Sequence, residues 1–117
     1  MGVELKWIVI DTPDPRGLAP FWRELLGWRV QSESAEEVAF QAPDGATNPL
    51  LFYSPDPKRV KNRVHVDLRP EPGSDLEAEV ERALRLGATR ADIGQGTVDH
   101  VVLADPEGNE FCIVPRT

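Results

Sequence analysis

The sequence predicts an α+β domain built from two copies of one unit, a strand, a helix and three further strands. Three observations predict it. Residues 4–28 (ELKWIVIDTPDPRGLAPFWRELLGW) and 63–88 (RVHVDLRPEPGSDLEAEVERALRLGA) share one order: short apolar strand, Pro/Asp turn, amphipathic helix, Leu-Gly stop. Trp7 and His65 fall at the same point of the two copies. Each helix is followed by short runs with strand composition and turn chemistry between them. A duplicated unit of this kind commonly forms one pseudosymmetric sheet, which places the expected working site in the cleft between the halves.

The first strand, residues 4–11, carries Leu5, Trp7 and Val9 against Ile8 and Ile10, so it reads as apolar on both faces and central in its sheet. After Asp11-Thr12-Pro13-Asp14-Pro15, the residues Leu18, Phe21, Trp22, Leu25 and Leu26 draw one helical stripe that stops at Gly27. Pro20 is best tolerated in a first turn, so the regular helix is expected to start around Gly17. Residues 28–33, 37–42 and 50–54 read as three strands, with Pro43-Asp44-Gly45 as a turn. These complete module one, residues 1–54. Residues 55–62 (PDPKRVKN) read as a linker, because prolines remove donors and charges favour solvent.

Module two, residues 63–117, opens with Val64, Val66 and Leu68 alternating with His65, Asp67 and Arg69. Its helix has a capping-box pattern at Ser74-Asp75-Leu76-Glu77 and an apolar stripe of Leu76, Val80, Ala83 and Leu84. Gly87 closes it. Strands are expected at residues 88–93, 98–104 and 110–114, the last two joined by the tight turn Asp105-Pro106-Glu107-Gly108-Asn109.

At 117 residues the chain is expected to be one domain whose two modules share a core. With 13 Lys+Arg against 20 Asp+Glu, a net charge of -7 opposes a phosphate-binding surface, so neither nucleic acid nor an anionic membrane is an expected partner. No apolar run is long enough to span a bilayer and no secretory signal is evident, which sets cytoplasmic localisation as the expectation. The single cysteine, Cys112, forms no internal disulfide.

The strand ending in Asp-Pro before Phe21-Trp22 and Leu26-Gly27, the His65-Val66-Asp67-Leu68 strand, and Leu103-Ala104-Asp105-Pro106-Glu107-Gly108-Asn109-Glu110-Phe111-Cys112 together resemble the glyoxalase/bleomycin-resistance, or vicinal oxygen chelate, superfamily. Within it the chain is most similar to glyoxalase-like domains without an assigned activity. The resemblance covers nearly the whole chain. It implies two βαβββ modules forming an eight-stranded U-shaped mixed sheet with helices outside, commonly assembled as a homodimer.

Active members hold a divalent metal with His and Glu side chains from four matching strand positions. Here those positions carry Trp7, either Leu51 or Phe52 according to register, His65 and Cys112. An indole offers no lone pair, and the Leu or Phe cannot coordinate. One conventional ligand of four remains, so no metal and no other cofactor is expected, since catalytic zinc sites use three protein ligands.

By the two-residue period, Asp67 and Arg69 share the face of His65, and Glu110 shares that of Cys112. One reading makes His65 an orienting donor or general base, with Asp67 or Glu110 setting its tautomer and Arg69 clamping an anion. The other makes this a salt-bridged polar sheet face. Trp7 is either a stacking platform or core, and Cys112 is either a ligand contact or an inert buried thiol. His100 reads as a surface histidine, and Trp22 and Trp28 as core. The expected function is metal-independent binding of a small organic ligand in the cleft, with Trp7, Phe52, Arg69 and Cys112 as contacts. Whether the chain is an enzyme stays open. The alternatives are a lyase or isomerase using His65 with Asp67 or Glu110, a divergent metalloenzyme, and a module acting through its dimer face.

Overall fold

The computed structural model describes residues 2–41, 48–92, 94–96 and 98–116, and in the strand at 48–53 the side chains of Leu51 and Tyr53. The chain divides into two compact units, Met1–Pro57 and Lys58–Thr117. Unit one contains β1 (Trp7–Thr12), α1 (Pro15–Leu26), β2 (Arg29–Glu33), β3 (Glu37–Gln41) and β4 (Asn48–Tyr53). Unit two contains β5 (Val66–Leu68), α2 (Leu76–Leu86), β6 (Thr89–Arg90), β7 (Val101–Ala104) and β8 (Glu110–Ile113). The strand orders are β1-β4-β3-β2 and β5-β8-β7-β6. In each sheet the first strand runs parallel to the last and the others pair antiparallel. The duplication read from the sequence is thus a duplication of topology, and the fold is α+β, with two helices and two mixed four-stranded sheets among the described residues.

β1 lies at the end of its own four-stranded sheet rather than at its centre. Ile8 and Val9 are exposed, at 40% and 49%. An apolar run shows which side chains avoid water, not what covers them. The core of unit one lies instead between α1 and the sheet: Leu18, Ala19, Phe21, Trp22 and Leu25 are buried, as are Val38, Phe40 and Leu51. Phe21 and Trp22 meet edge to face, with ring centroids 5.3 Å apart. Trp28, expected in the core, is half-buried.

α1 begins at Pro15, two residues before Gly17, so Pro20 sits inside the helix. The N-cap decides this start. Thr12 Oγ1 accepts from the Asp14 N–H at 3.0 Å, and Asp14 Oδ1 accepts from the Gly17 N–H at 3.1 Å. A Cβ at residue 17 would meet the Asp14 carboxylate, which explains a glycine in a first turn. The helix ends where Gly27 turns to φ 68° and donates its N–H to the Arg23 carbonyl.

α2 is capped by Asp75, whose Oδ1 accepts from the Ala78 N–H at 2.8 Å. The N-cap is therefore Asp75 rather than Ser74, and with Ala78 at N3 the expected capping box does not form. Ser74 donates its hydroxyl to Glu79 Oε2 at 2.6 Å instead, and Glu79 also pairs with Arg82. Val80 and Ala83 are buried and Leu76 and Leu84 half-buried, as the stripe predicts. β5 is shorter than the alternation at 63–69 suggests, and β6 keeps two residues of the expected 88–93. The β7–β8 turn is held by Asp105, 2% exposed, whose Oδ1 accepts from the Glu107 and Asn109 N–H groups at 2.9 Å. Its Oδ2 accepts from Asn109 Nδ2 at 2.9 Å, and Gly108 supplies φ 90°. The expected Pro43-Asp44-Gly45 turn lies outside the described residues. No helix among them is long and apolar enough to cross a membrane.

Candidate functional site

β5 and β8 run parallel with Asp67 in register with Cys112 and Val66 with Phe111. Paired residues on neighbouring strands point to one face, so Asp67 and Cys112 share a side. One two-residue step back along each strand places His65 and Glu110 on that side too. The opposite face carries Leu68, Phe111 and Ile113 toward the α2 side, where α2 packs on β8. The alternation at 63–69 therefore sorts the polar row from the core as the sequence predicts.

Glu110 is the most constrained member of this row. It is 9% exposed, with Oε2 2.5 Å from Lys58 Nζ, and Oε1 accepts from the Asn62 N–H at 2.5 Å. The Asn62 side-chain amide donates to the Glu110 carbonyl at 3.2 Å. Burial pushes the carboxyl up. The Lys58 and Asn62 hydrogen bonds, with the charges of Lys58 and Lys61, more than offset it and hold Glu110 below its ordinary range. Glu110 is thus an ionised anchor for residues 58–62. These residues read as linker in the sequence, but they belong to unit two and close over the start of β8.

His65 is half-buried, and its Nε2 lies 3.2 Å from the Asn62 carbonyl and 3.2 Å from Lys61 Nζ. Among the described residues no hydrogen bond joins it to Asp67 or Glu110, the expected tautomer-setting partners. The backbone explains why. Asn62 folds back toward β8 and inserts its own carbonyl at the ring, and Glu110 is committed to Lys58 and Asn62. Asp67 faces Cys112 instead: burial first, then the Asp67 charge and hydrogen bond, push the buried thiol up, with Lys61 acting the other way. Cys112 is consequently a thiol at neutral pH rather than a thiolate nucleophile. Arg69 follows β5 and is exposed.

In unit one, Trp7 opens β1 and is half-buried. The β1–β4 register pairs Asp11 with Phe52 and Ile10 with Leu51. Position 52 is therefore the one in the row of Trp7, Val9 and Asp11, while Leu51 is fully buried on the other row. The side chain of Phe52 lies outside the described residues. His100 precedes β7, half-buried, with Nδ1 3.7 Å from Asp99 Oδ1.

The structure thus brings His65, Asp67, Glu110 and Cys112 onto one face of unit two, and Trp7 and Phe52 onto neighbouring strands of unit one. Sequence reasoning missed Lys58, Lys61 and Asn62. Local pattern could not reveal them, because the contacts of Lys58 and Asn62 are with a residue some fifty positions away, whereas Lys61 could have been flagged as a cation four residues before His65.

Donor chemistry decides whether a resident metal fits. Among the described residues no three His, Cys, Asp or Glu side chains converge to hold one. Trp7 and Phe52 offer no donor, and Cys112 is disposed to keep its proton, the reverse of what coordination requires. A groove of about 310 Å³ between α2 and β6–β7, lined by Leu76, Val80, Val101, Glu77, Glu81 and Arg90, lies on the helix side of the sheet, away from this row.

Comparison with known proteins agrees with the architecture. A glyoxalase/bleomycin resistance protein/dioxygenase family enzyme from Burkholderia phytofirmans PsJN is similar at 18% identity and TM-score 0.76, covering 95% of this chain and 97% of that one. A glyoxalase/bleomycin resistance protein from Albidiferax ferrireducens T118 is similar at 18% identity and TM-score 0.70, covering 97% and 98%. The bleomycin-binding protein of Streptomyces verticillus, solved with copper(II)-bleomycin, is similar at 13% identity and TM-score 0.62, covering 100% and 99%. These likenesses concern the fold. No curated protein matches the sequence. The family model described as a glyoxalase-like domain matches residues 7–114, and with that span the chain belongs to the glyoxalase-like domain family.

Proposed function

We propose that this chain binds a small organic ligand without a metal ion, through the polar row of unit two. The observation that carries this reading is the β5–β8 register, which with strand parity sets His65, Asp67, Glu110 and Cys112 on one face of unit two. His65 and Asp67 orient the ligand, Glu110 fixes the strap 58–62, and Arg69 and Cys112 line the row. Trp7 and Phe52, on neighbouring strands of unit one, are the aromatic positions this reading expects to add flat apolar contact. The bleomycin-binding protein of Streptomyces verticillus, similar in fold, was solved with copper(II)-bleomycin and lends support to small-molecule binding. A cytoplasmic homodimer with no nucleic-acid partner completes it.

General acid/base catalysis by His65 is the weaker reading. Glu110 is locked in an ion pair and has no proton to exchange near neutrality. A thermal-shift screen of small organic molecules tests the proposal. A hit should raise the melting temperature equally with and without chelator, and His65→Ala should abolish the shift. Stabilisation that needs an added divalent metal, or no hit in a broad screen, would overturn it.

A further inference from the structure

The charges of this acidic chain are unevenly placed. Residues 58–69 hold Lys58, Arg59, Lys61, Arg63 and Arg69 with a single acid, Asp67, although the whole chain has 13 Lys+Arg against 20 Asp+Glu. Lys58 is neutralised by Glu110. Among the described residues no carboxylate pairs with Arg59, Lys61, Arg63 or Arg69, and all four are exposed.

Lys61 is the cation that reaches the row. Its Nζ donates to the Asn62 carbonyl at 3.0 Å and lies 3.2 Å from His65 Nε2. An ammonium has three N–H donors and no acceptor, so when the imidazole accepts from Lys61 one donor remains open beside the ring. Arg69 continues the row of His65 and Asp67 and offers a planar fork of donors. An exposed ammonium thus stands beside the imidazole, and the buried acid of the row, Glu110, is committed to Lys58.

We infer that the ligand of this site is a small organic acid, whose carboxylate is taken by Lys61 while His65 orients it. This rests on the small-ligand reading above and adds the charge of the ligand. Charge-assisted hydrogen bonds to a carboxylate supply selectivity that a neutral analogue cannot recover.

The test uses the full chain with benzoate, salicylate and indole-3-acetate, each beside its carboxamide, followed by thermal shift and by amide NMR titration at low and high salt. The carboxylates should move the signals of Lys61 and His65, bind at least about tenfold more tightly than their amides, and weaken with salt. Lys61→Gln should cost the carboxylates about tenfold and leave the amides unchanged, whereas Arg23→Gln, a surface change on α1, should alter neither. Equal affinity for acid and amide, signals that move elsewhere, or no binding by any acid would overturn the inference. The underlying reading fails separately, if stabilisation needs an added metal or if neutral and cationic ligands are also absent from the broad screen; a neutral or cationic ligand mapping to His65, with no acid bound, would keep that reading and refute this one.

Discussion

Glu110 feels two opposing influences, and their balance fixes how the strap responds to acid. Burial favours its neutral form, while Lys58, Lys61 and the Asn62 N–H favour the carboxylate and prevail. Because the folded value lies below the ordinary 4.5, the stability it contributes is present above that pH and is lost as pH falls through the folded value. Denaturant titrations should show the wild type losing stability over that acid window, with a flatter profile for Glu110→Gln; identical profiles would remove Glu110 from this role. Cys112 moves the other way, since burial and Asp67 raise it. Iodoacetamide should alkylate the native thiol slowly at neutral pH, and Asp67→Asn should shift the inflection of the alkylation profile downward. An unshifted inflection would mean that Asp67 does not govern the thiol. The parity of 65, 67, 110 and 112 was legible in the sequence because strands alternate faces. The partners of His65 were not, because they depend on a chain reversal at Asn62 that carries no local signature.

The helices show what local chemistry can and cannot specify. Periodic stripes gave both buried faces, yet both starts moved by one or two residues, because side-chain geometry at the cap chooses among adjacent polar residues. At α2, Ser74 and Asp75 both suit an N-cap, and the carboxylate takes the Ala78 N–H while the hydroxyl turns to Glu79. Asp75→Ala should therefore cost about 1 kcal/mol in chemical denaturation. Ser74→Ala should cost less, and the reverse order would restore the capping box. The β7–β8 turn is more demanding, since the buried Asp105 carboxylate accepts from three donors of its own loop. Asp105→Ala is expected to cost about 2 kcal/mol and to loosen the hairpin that carries Glu110 and Cys112. A stability change near zero would show that the loop holds without it. This turn is readable in the sequence as Asp-Pro-x-Gly-Asn chemistry, because every donor and acceptor lies within five residues.

At the scale of the molecule, two units with the same strand order carry different residues at matching places. Topology was recoverable from repeated order alone, since a strand, a stripe and a Leu-Gly stop recur with similar spacing. Position within each sheet was not, as the end placement of β1 shows, because pairing partners are non-local. The duplication also sharpens what the site can do. Matching places hold an indole in unit one and an imidazole in unit two, and on the neighbouring strands β4 and β8 stand Phe52, opposite Asp11, and Cys112, opposite Asp67. A metal bound by such a set would have to displace the thiol proton against burial, and among the described residues no three His, Cys, Asp or Glu side chains converge to hold it. Structural or catalytic metal sites contribute many kcal/mol to folding only when three or four ligands converge. Chelator treatment of the purified chain should thus leave its melting temperature unchanged, and elemental analysis should find well under one equivalent of zinc, nickel or manganese. Added zinc should stabilise the His65→Ala variant no less than the wild type, since no shared site depends on that ring. Stoichiometric metal, or a melting temperature that falls with chelator and returns with one metal, would show that ligands outside this row complete a centre.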